Sequence, residues 1–210
     1  MLRIANRGPG VAEADPTVVE WVEAALAGDH EAFAEIVYTY QDAVYNLSYR
    51  MLGESMEAED AAQEVFLRAY ANLHRYDPGR SLKTWLLSIA SNHCIDRLRK
   101  RRLVWLSLDD EPLAATLGLS DDQPGPEEAT LHNERSHKMQ ELLNQLSPDY
   151  RAAVVLRYWY DYSYTEIAQI MDTTESAIKS RLFRARHMLA DMLNDPEASA
   201  GLANLRLEGG

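Results

Sequence analysis

Cysteine, long apolar runs and β-strand patterns are scarce in this sequence. The single cysteine, Cys94, excludes an internal disulfide and any cysteine-cluster metal site. The six histidines lack a metal-ligand spacing such as HExxH, so we expect no metal and no other cofactor. The longest wholly apolar runs are a few residues, and the N-terminus has no apolar signal core. We therefore expect a cytoplasmic protein that does not insert into a membrane.

Helical periodicity dominates the 210 residues, of which 46% are hydrophobic, and it predicts an all-α protein. Two helical blocks flank a stretch rich in Asp, Glu and Pro, which indicates two small helical domains joined by a flexible acidic linker. The predicted segments are a disordered extension at 1–16, helical blocks at 17–102 and 136–193, the linker at 103–135 and a weakly ordered tail at 194–210.

The second block has the pattern of a helix-turn-helix. Ser147-Pro148 predicts an N-cap followed by proline at the first helical position, and Ser163 with Glu166 fits a capping box. After a turn near Asp172, the last helix combines an apolar stripe with a face of basic and hydrogen-bonding side chains. Such a face can bind phosphates and reach base edges in a major groove. The alternative is an ordinary solvated face on a core helix.

An acidic face is predicted on a helix of the first block. Small apolar residues such as Ala61 and Val65 recur at helical spacing, while Asp60, Gln63 and Glu64 group on another side. Periodicity alone does not distinguish a binding face from plain solvation, and both interpretations stay open at this point.

The next helix is predicted to bury Leu86, Ala90 and Cys94, to expose Ser91, and to end in a basic run. Five cations fall within residues 97–102. A basic helix end complements the helix dipole, and it is also a dense patch for binding phosphates.

Two aromatic residues, Tyr76 and Trp85, precede this basic run. Cations mixed with aromatic rings suit a nucleic-acid strand whose bases are unstacked, because every base has a face on which a ring can stack. Each ring taken singly is better explained as part of a core.

Four segments in order resemble the extracytoplasmic-function (ECF) group of bacterial sigma factors, the minimal two-domain members of the sigma-70 class. They read EDAAQEVFLRAY, LKTWLLSIASNHCIDRLRKRR, LSPDYRAAVVLRYWYDYSYTEIAQIM and AIKSRLFRAR. The resemblance covers about residues 17–102 and 138–193, and it implies sigma regions 2 and 4. It also implies a protein that binds core RNA polymerase and directs promoter recognition, DNA melting and transcription initiation.

The resemblance implies a role for each candidate site residue. The face that docks on the clamp helices of the largest polymerase subunit would consist of Asp60, Gln63 and Glu64. The surface for the minus-ten element, including a flipped-base pocket, would consist of Arg80, Ser81, Trp85, Asn92, Asp96, Arg97, Arg99, Lys100 and Arg101. In region 4, which also binds the polymerase flap region, the residues that contact the minus-thirty-five duplex would be Thr174, Ser176, Ala177, Lys179, Ser180, Phe183 and Arg184. An anti-sigma factor that covers the polymerase-binding faces is implied as a further partner.

The net charge of −12 fits a subunit better than a free DNA-binding protein. Net acidity weakens binding to random DNA, because nonspecific affinity depends on phosphate neutralisation. We expect the free protein to bind promoters poorly, and we expect its acidic linker to thread basic channels of the polymerase.

Two other classes of protein stay open. A free-standing helix-turn-helix regulator would bind duplex DNA unaided, usually as a dimer, and the single-strand-type patch argues against it. An enzyme acting on nucleic acid would need convergent carboxylates, metal ligands or an activated nucleophile, and none is evident. Cys94 is best explained as a core thiol, with a redox sensor as the alternative. We therefore predict that the protein is not an enzyme.

Overall fold

The computed structural model describes residues 16–108 and 127–194, with side chains over 17–102 and 136–193. All regular structure in those residues is helical, which confirms the all-α prediction. The helices are α1 (Pro16–Leu26), α2 (His30–Leu52), α3 (Ser55–Ala71), a short 3-10 helix (Leu73–Arg75), α4 (Leu82–Leu108), α5 (Glu127–Gln145), α6 (Pro148–Tyr158), α7 (Tyr164–Ile170) and α8 (Glu175–Asn194).

The predicted segment bounds stay predictions. Both ends of the segment predicted as a linker are helical, because α4 extends to Leu108 and α5 begins at Glu127. The remainder of that segment, the tail after Asn194 and the extension before Pro16 lie outside the described residues.

Local capping sets where the helices of the second block begin. Ser147 caps α6 by accepting a hydrogen bond from the backbone N–H of Tyr150, with Pro148 at the first helical position. The predicted capping box at α7 is present, since Ser163 and Glu166 each accept a hydrogen bond from the other's backbone N–H.

Helices α1 to α4 form a first helical unit, in which α2 and α4 pack on α3 and on each other. Leu86, Ala90 and Cys94 are buried as predicted. The prediction that Ser91 is exposed is wrong, because its side chain is fully buried. The buried face of α4 is wider than a single stripe, since α4 contacts α2 and α3 as well as α6 and α7.

Helices α5 to α8 form a second helical unit, and its apolar residues join those of the first unit in one hydrophobic core. Helix α6 runs antiparallel to α4. Near one end, Thr84 Oγ1 lies 3.4 Å from Tyr162 Oη, and near the other, Arg99 Nη2 lies 2.9 Å from Asp149 Oδ2. The helical periodicity of the sequence contains no signal for this direct packing of the two units.

A buried arginine joins the units at the C-terminal end of α2. Arg151 donates hydrogen bonds to the backbone carbonyl of Met51 and, at 2.9 Å, to that of Asn144. Burial lowers the pKa of Arg151 to about 10, so the guanidinium stays charged at neutral pH. It satisfies one of the carbonyls that the last turn of α2 leaves without a helical partner.

Three further contacts cross between the units. Gln140 Nε2 donates to the carbonyl of Arg50 at 3.1 Å, and Tyr160 Oη donates to that of Ala43 at 2.5 Å. The Arg50 guanidinium lies 5.0 Å from the centre of the Trp159 ring. Helix α2 thus supplies backbone acceptors and a cation to the second unit.

Among the described helices, none is both long and apolar enough to cross a membrane. Over the same residues, His, Cys, Asp and Glu side chains form no group that would hold a metal ion.

Candidate polymerase and nucleic-acid interfaces

An open apolar groove of about 950 Å³ lies between α2 and α3. Its walls include Phe33, Val37 and Phe66, and its rim includes Tyr38 and Leu67, which are 76% and 66% exposed. Contiguous exposed apolar surface of this kind marks a site for a protein partner, because it gains free energy when covered.

Of the residues predicted to bind polymerase, Gln63 lines this groove, and Asp60 and Glu64 do not. Asp60 is exposed on the side of α3 that faces α4, with its Oδ2 4.0 Å from Arg97 Nη2. Glu64 Oε1 lies 2.6 Å from Arg68 Nε, and this hydrogen bond lowers the pKa of Glu64. Helix α3 therefore turns Gln63 toward the groove and the two predicted acids toward α4.

The apolar part of this surface was not predicted from the sequence. The signal was the adjacent pair Phe66 and Leu67, because two neighbouring positions on a helix point in directions about 100° apart and cannot both face one narrow core stripe. Phe66 is buried and Leu67 is exposed.

The loop before α4 is held in a defined shape. Asp77 Oδ1 accepts a hydrogen bond from the Gly79 N–H at 2.9 Å, and the buried Tyr76 hydroxyl donates to the Arg80 carbonyl at 2.6 Å. Arg80 is exposed, and Ser81 is half-buried at the start of the helix. The loop thus holds Arg80 in solvent at the N-terminal end of α4.

Of the two aromatic residues, Tyr76 belongs to the core and Trp85 lies at its edge. Their ring centres are 5.5 Å apart, and Trp85 keeps part of its ring accessible. For Tyr76, the interpretation as a core residue is therefore confirmed, in preference to a ring that stacks on bases. Farther along α4, the predicted pocket residue Asn92 is exposed, as is Asp96.

The basic end of α4 is largely paired with acids. Arg97 Nη2 lies 3.8 Å from Glu57 Oε1 and 4.0 Å from Asp60 Oδ2, and Arg101 also contacts Glu57. Asp60, predicted for polymerase, thus lies close to Arg97, predicted for DNA. Lys100 is exposed.

The helix-turn-helix consists of α7, a turn at Asp172 and α8. Asp172 has a φ of +47°, in the left-handed region that lets the chain reverse within a few residues. The Thr174 hydroxyl accepts a hydrogen bond from the Ala177 N–H at 3.2 Å and so caps α8. Thr165 Oγ1 donates to Glu175 Oε2 at 3.2 Å, which fixes α7 against the start of α8.

The outer face of α8 brings the predicted duplex-binding residues together. Ser176 and Ser180 are exposed, and Phe183 is 55% exposed with its ring centre 4.1 Å from that of His187. Arg184 Nη1 lies 3.4 Å from the Tyr150 hydroxyl. The helix thus presents hydrogen-bond donors, from its serine and arginine side chains, together with the Phe183 ring on one accessible side.

Asp149, which was not singled out from the sequence, bridges the basic end of α4 and the partly buried Arg181 of α8. Its carboxylate is 2.9 Å from Arg99 Nη2 on α4 and 3.3 Å from Arg181 Nη2 on α8. In the sequence, an acid in the first turn of a helix is explained by the helix dipole alone, so no signal pointed to this role.

Two family descriptions match these units. "Sigma-70 region 2" matches residues 36–104, and "Sigma-70, region 4" matches residues 136–189. The ECF RNA polymerase sigma factor SigW of Bacillus subtilis is 41% identical over 174 residues, covering 80% of this chain and 92% of the relative. The RNA polymerase sigma-H factor of Pseudomonas aeruginosa is 32% identical over 181 residues, covering 84% of this chain and 92% of the relative.

A solved structure shows the same architecture. The sigma factor RpoE from Bartonella quintana, in complex with the anti-sigma factor NepR, matches with a TM-score of 0.59 and 26% identity, covering 78% of this chain and 98% of that one.

The first and second helical units are thus sigma regions 2 and 4, and the chain belongs to the ECF group of sigma-70 family RNA polymerase sigma factors. Members of this group direct RNA polymerase to promoters, and the alternative of a free-standing helix-turn-helix regulator is set aside.

Proposed function

We propose that this chain acts through three surfaces as the promoter-recognition subunit of RNA polymerase. The groove between α2 and α3 binds the clamp helices, the exposed side of α4 binds the melted minus-ten strand, and the outer face of α8 binds the minus-thirty-five duplex. The observation that carries the proposal is the apolar groove beside Gln63, since it provides an exposed surface for a protein partner on the unit that matches sigma region 2.

The α4 surface is suited to a single strand. Asn92 and Asp96 are exposed between the ring of Trp85 at one end and the cations at the other. Extruding a base costs a few kcal/mol of stacking and pairing. Contacts between the extruded base and the exposed Asn92 would return part of that energy, and the cations would hold the neighbouring phosphates.

The α8 surface is suited to a duplex. Ser176, Ser180 and Arg184 are exposed on one side of a helix, and a major groove admits one helix. Lys179 contributes a point charge to phosphate, because an ammonium lacks the planar fork that binds guanine in a bidentate manner. The flap region of polymerase is the second ligand of this region.

An anti-sigma factor is the proposed regulator. It would cover the same apolar groove that docks polymerase, since one exposed apolar surface can be occupied by one partner at a time. The protein would act in the cytoplasm, without catalytic activity of its own.

Transcription with purified core polymerase tests the function. A genomic fragment pool is transcribed with and without the protein, and transcript starts are mapped. New starts that share two motifs at fixed separation are expected. If none appears while the protein alone shifts duplex DNA, the regulator alternative replaces the proposal.

The groove is tested by Leu67→Arg, with Met56→Arg as the matched control. Both side chains are exposed on α3, but Met56 is not part of the groove. Leu67→Arg is expected to weaken core polymerase binding by roughly ten-fold or more, and Met56→Arg to leave it unchanged. Equal binding of the two variants would place the polymerase site elsewhere.

A further inference from the structure

We propose that Glu57 on α3 is a positioning residue for the minus-ten strand, which clusters the guanidinium groups of Arg97 and Arg101 so that they bind one phosphate together. The inference rests on the proposed function, because it concerns the cations of the α4 surface. It goes beyond that function by assigning a role in DNA binding to an acid, which makes no favourable contact with DNA itself.

One oxygen of Glu57 joins the two arginines. Glu57 Oε1 lies 3.8 Å from Arg97 Nη2, and Arg101 Nη2 contacts the same oxygen. The Glu57 side chain is only 21% exposed, and its second oxygen, Oε2, is buried. A carboxylate that is largely removed from water needs cations beside it. Glu57 is therefore a fixed point between helices α3 and α4 to which two long, flexible side chains are attached.

The two arginines would repel each other without this acid. Arg97 and Arg101 are four positions apart on α4, so their side chains leave the same face of the helix, and like charges at this spacing are unfavourable. Five cations fall within residues 97–102, which adds to the repulsion. Asp60 Oδ2, 4.0 Å from Arg97 Nη2, is a second and more exposed acid. The carboxylate of Glu57 therefore keeps the two guanidinium groups together.

A clustered pair of guanidinium groups is suited to a phosphodiester. Each group has five N–H donors in a planar fork, and the ion pairs with Glu57 run through Nη2 of each group. The side chains of Arg97 and Arg101 are 31% and 38% exposed, so their other donors can reach a ligand in solvent. A phosphate accepts several charge-assisted hydrogen bonds through its non-bridging oxygens.

The pair lies at the edge of the surface proposed for the minus-ten strand. Asn92 and Asp96 are exposed on α4, and Arg97 lies about 100° further round the helix, on the side next to α3. A strand whose base reaches Asn92 has its backbone to one side, because the base and the phosphate are at opposite ends of a nucleotide. The two arginines can therefore hold the backbone while Asn92 contacts the base.

Positioning and simple neutralisation predict changes of opposite sign. An acid that only neutralises the arginines weakens DNA binding, so its removal would strengthen binding. An acid that positions them reduces the side-chain entropy lost when phosphate binds, so its removal would weaken binding. Glu57→Gln separates the two, because the amide keeps the shape of the side chain and removes its charge. Glu54→Gln is the matched control, since Glu54 is exposed at the N-cap of α3 and makes no side-chain capping hydrogen bond.

The test is the affinity of the holoenzyme, with this protein at saturating concentration, for a DNA whose minus-ten strand is unpaired. The DNA is taken from a promoter found by start mapping, and the dissociation constant is measured over a range of KCl concentrations. Glu57→Gln is expected to weaken binding about five- to ten-fold, because the DNA must then order two flexible side chains. The slope of log affinity against log salt should fall in magnitude by about 0.7, the contribution of one phosphate on a single strand. Glu54→Gln should change neither quantity.

A second comparison leaves Glu57 in place and decides the question if Glu57→Gln does not fold. Arg101→Gln removes a cation that Glu57 holds, and Arg102→Gln removes an exposed cation at the next position. Positioning predicts the greater loss of affinity for Arg101→Gln, whereas neutralisation predicts it for Arg102→Gln. In the Glu57→Gln background, Arg101→Gln should cost less affinity than it does in the wild type.

The proposal is overturned if Glu57→Gln binds at least as tightly as the wild type, or if it weakens binding with no change in salt slope. It is also overturned if Arg102→Gln costs as much affinity as Arg101→Gln. Transcription from the same promoter is measured in parallel. Initiation by the wild type together with any of these results rejects the positioning role alone, whereas no initiation by the wild type rejects the proposed function.

Discussion

Glu175 Oε1 lies 2.7 Å from Lys179 Nζ, one turn apart on the exposed face of α8. Hydrogen bonding to Lys179 lowers the pKa of Glu175, and the same contact raises the pKa of Lys179, so both groups are charged at neutral pH. The acid holds a cation that the proposed function assigns to DNA phosphate.

Glu175→Gln is expected to strengthen promoter binding. The substitution removes the competing charge, while the amide oxygen can still accept the hydrogen bond from Thr165. Affinity of the polymerase holoenzyme for a promoter with a minus-thirty-five element should rise about two- to five-fold, with a steeper salt dependence. Asp191→Asn makes the same charge change farther along α8, and an equal gain from it would show that Lys179 is not specifically released.

Arg151→Met is expected to destabilise the fold. Arg151 is 5% exposed and donates to two backbone carbonyls, which its loss would leave without this partner. The free energy of unfolding in urea should fall by about 2–4 kcal/mol. Arg186→Met, at an exposed position on α8, should change it by less than about 0.5 kcal/mol. Equal midpoints for the two variants would contradict the structural role of Arg151.

His93 is expected to make stability depend on pH. Burial lowers its pKa below 6.5, and the nearby Arg68 adds to the effect. As pH falls through the unfolded value, the unfolded chain takes up the proton before the folded chain does, so the unfolding free energy decreases until pH passes the folded value. Above the unfolded value, the group is neutral in both states and the term is constant.

His93→Gln should remove this component of the pH dependence, which develops as pH falls through the unfolded pKa of 6.5. Glu64, Asp96, Arg68 and Arg97 also face the ring, and Gln leaves them in place. His74→Gln, at an exposed position, is the control and should follow the wild type. Denaturant unfolding at several pH values gives the slope of the unfolding free energy against pH. Equal slopes for the two variants would exclude His93 as the source of this pH dependence.

Cys94 is expected to be unreactive in the folded protein. Its side chain is fully buried, and burial raises its pKa to about 11, so the thiolate is scarce at neutral pH. A disulfide reagent should modify it at least about a thousand-fold more slowly than in the denatured chain, because reaction requires local opening. A Met56→Cys variant places a thiol at an exposed position. The rate at which the reagent modifies this thiol is the reference for a free surface group. Reaction of native Cys94 at that rate would support a redox sensor.

Local features of this fold could be predicted from the sequence because their causes are local. The capping box of Ser163 and Glu166 depends on residues three apart, and the cap of α6 at Ser147 depends on the next few positions. The buried stripe of α8 at Ile178, Leu182 and Ala185 follows from helical period alone.

Features that depend on the packing of region 4 on region 2 could not be predicted. The local sequence around Arg151 predicts an ordinary exposed arginine on a helix surface. Its burial depends on the end of α2, and its contact with Met51 joins residues that are 100 positions apart in the sequence. Ser91 is buried because two sets of helices cover α4, and no periodic pattern contains that information. For the candidate polymerase site, Gln63 was predicted but the apolar groove that it lines was not, because the two walls of the groove come from separate helices.

Trp159 lies where the two regions meet, with the Arg50 guanidinium 5.0 Å from the centre of its ring. Indole emission responds to a nearby cation and to contact with water, and separation of the regions changes both. The difference in fluorescence between the wild type and Trp159→Phe would isolate this one ring from the other tryptophans. The emission of Trp159 therefore reports the contact between the two regions in unlabelled protein.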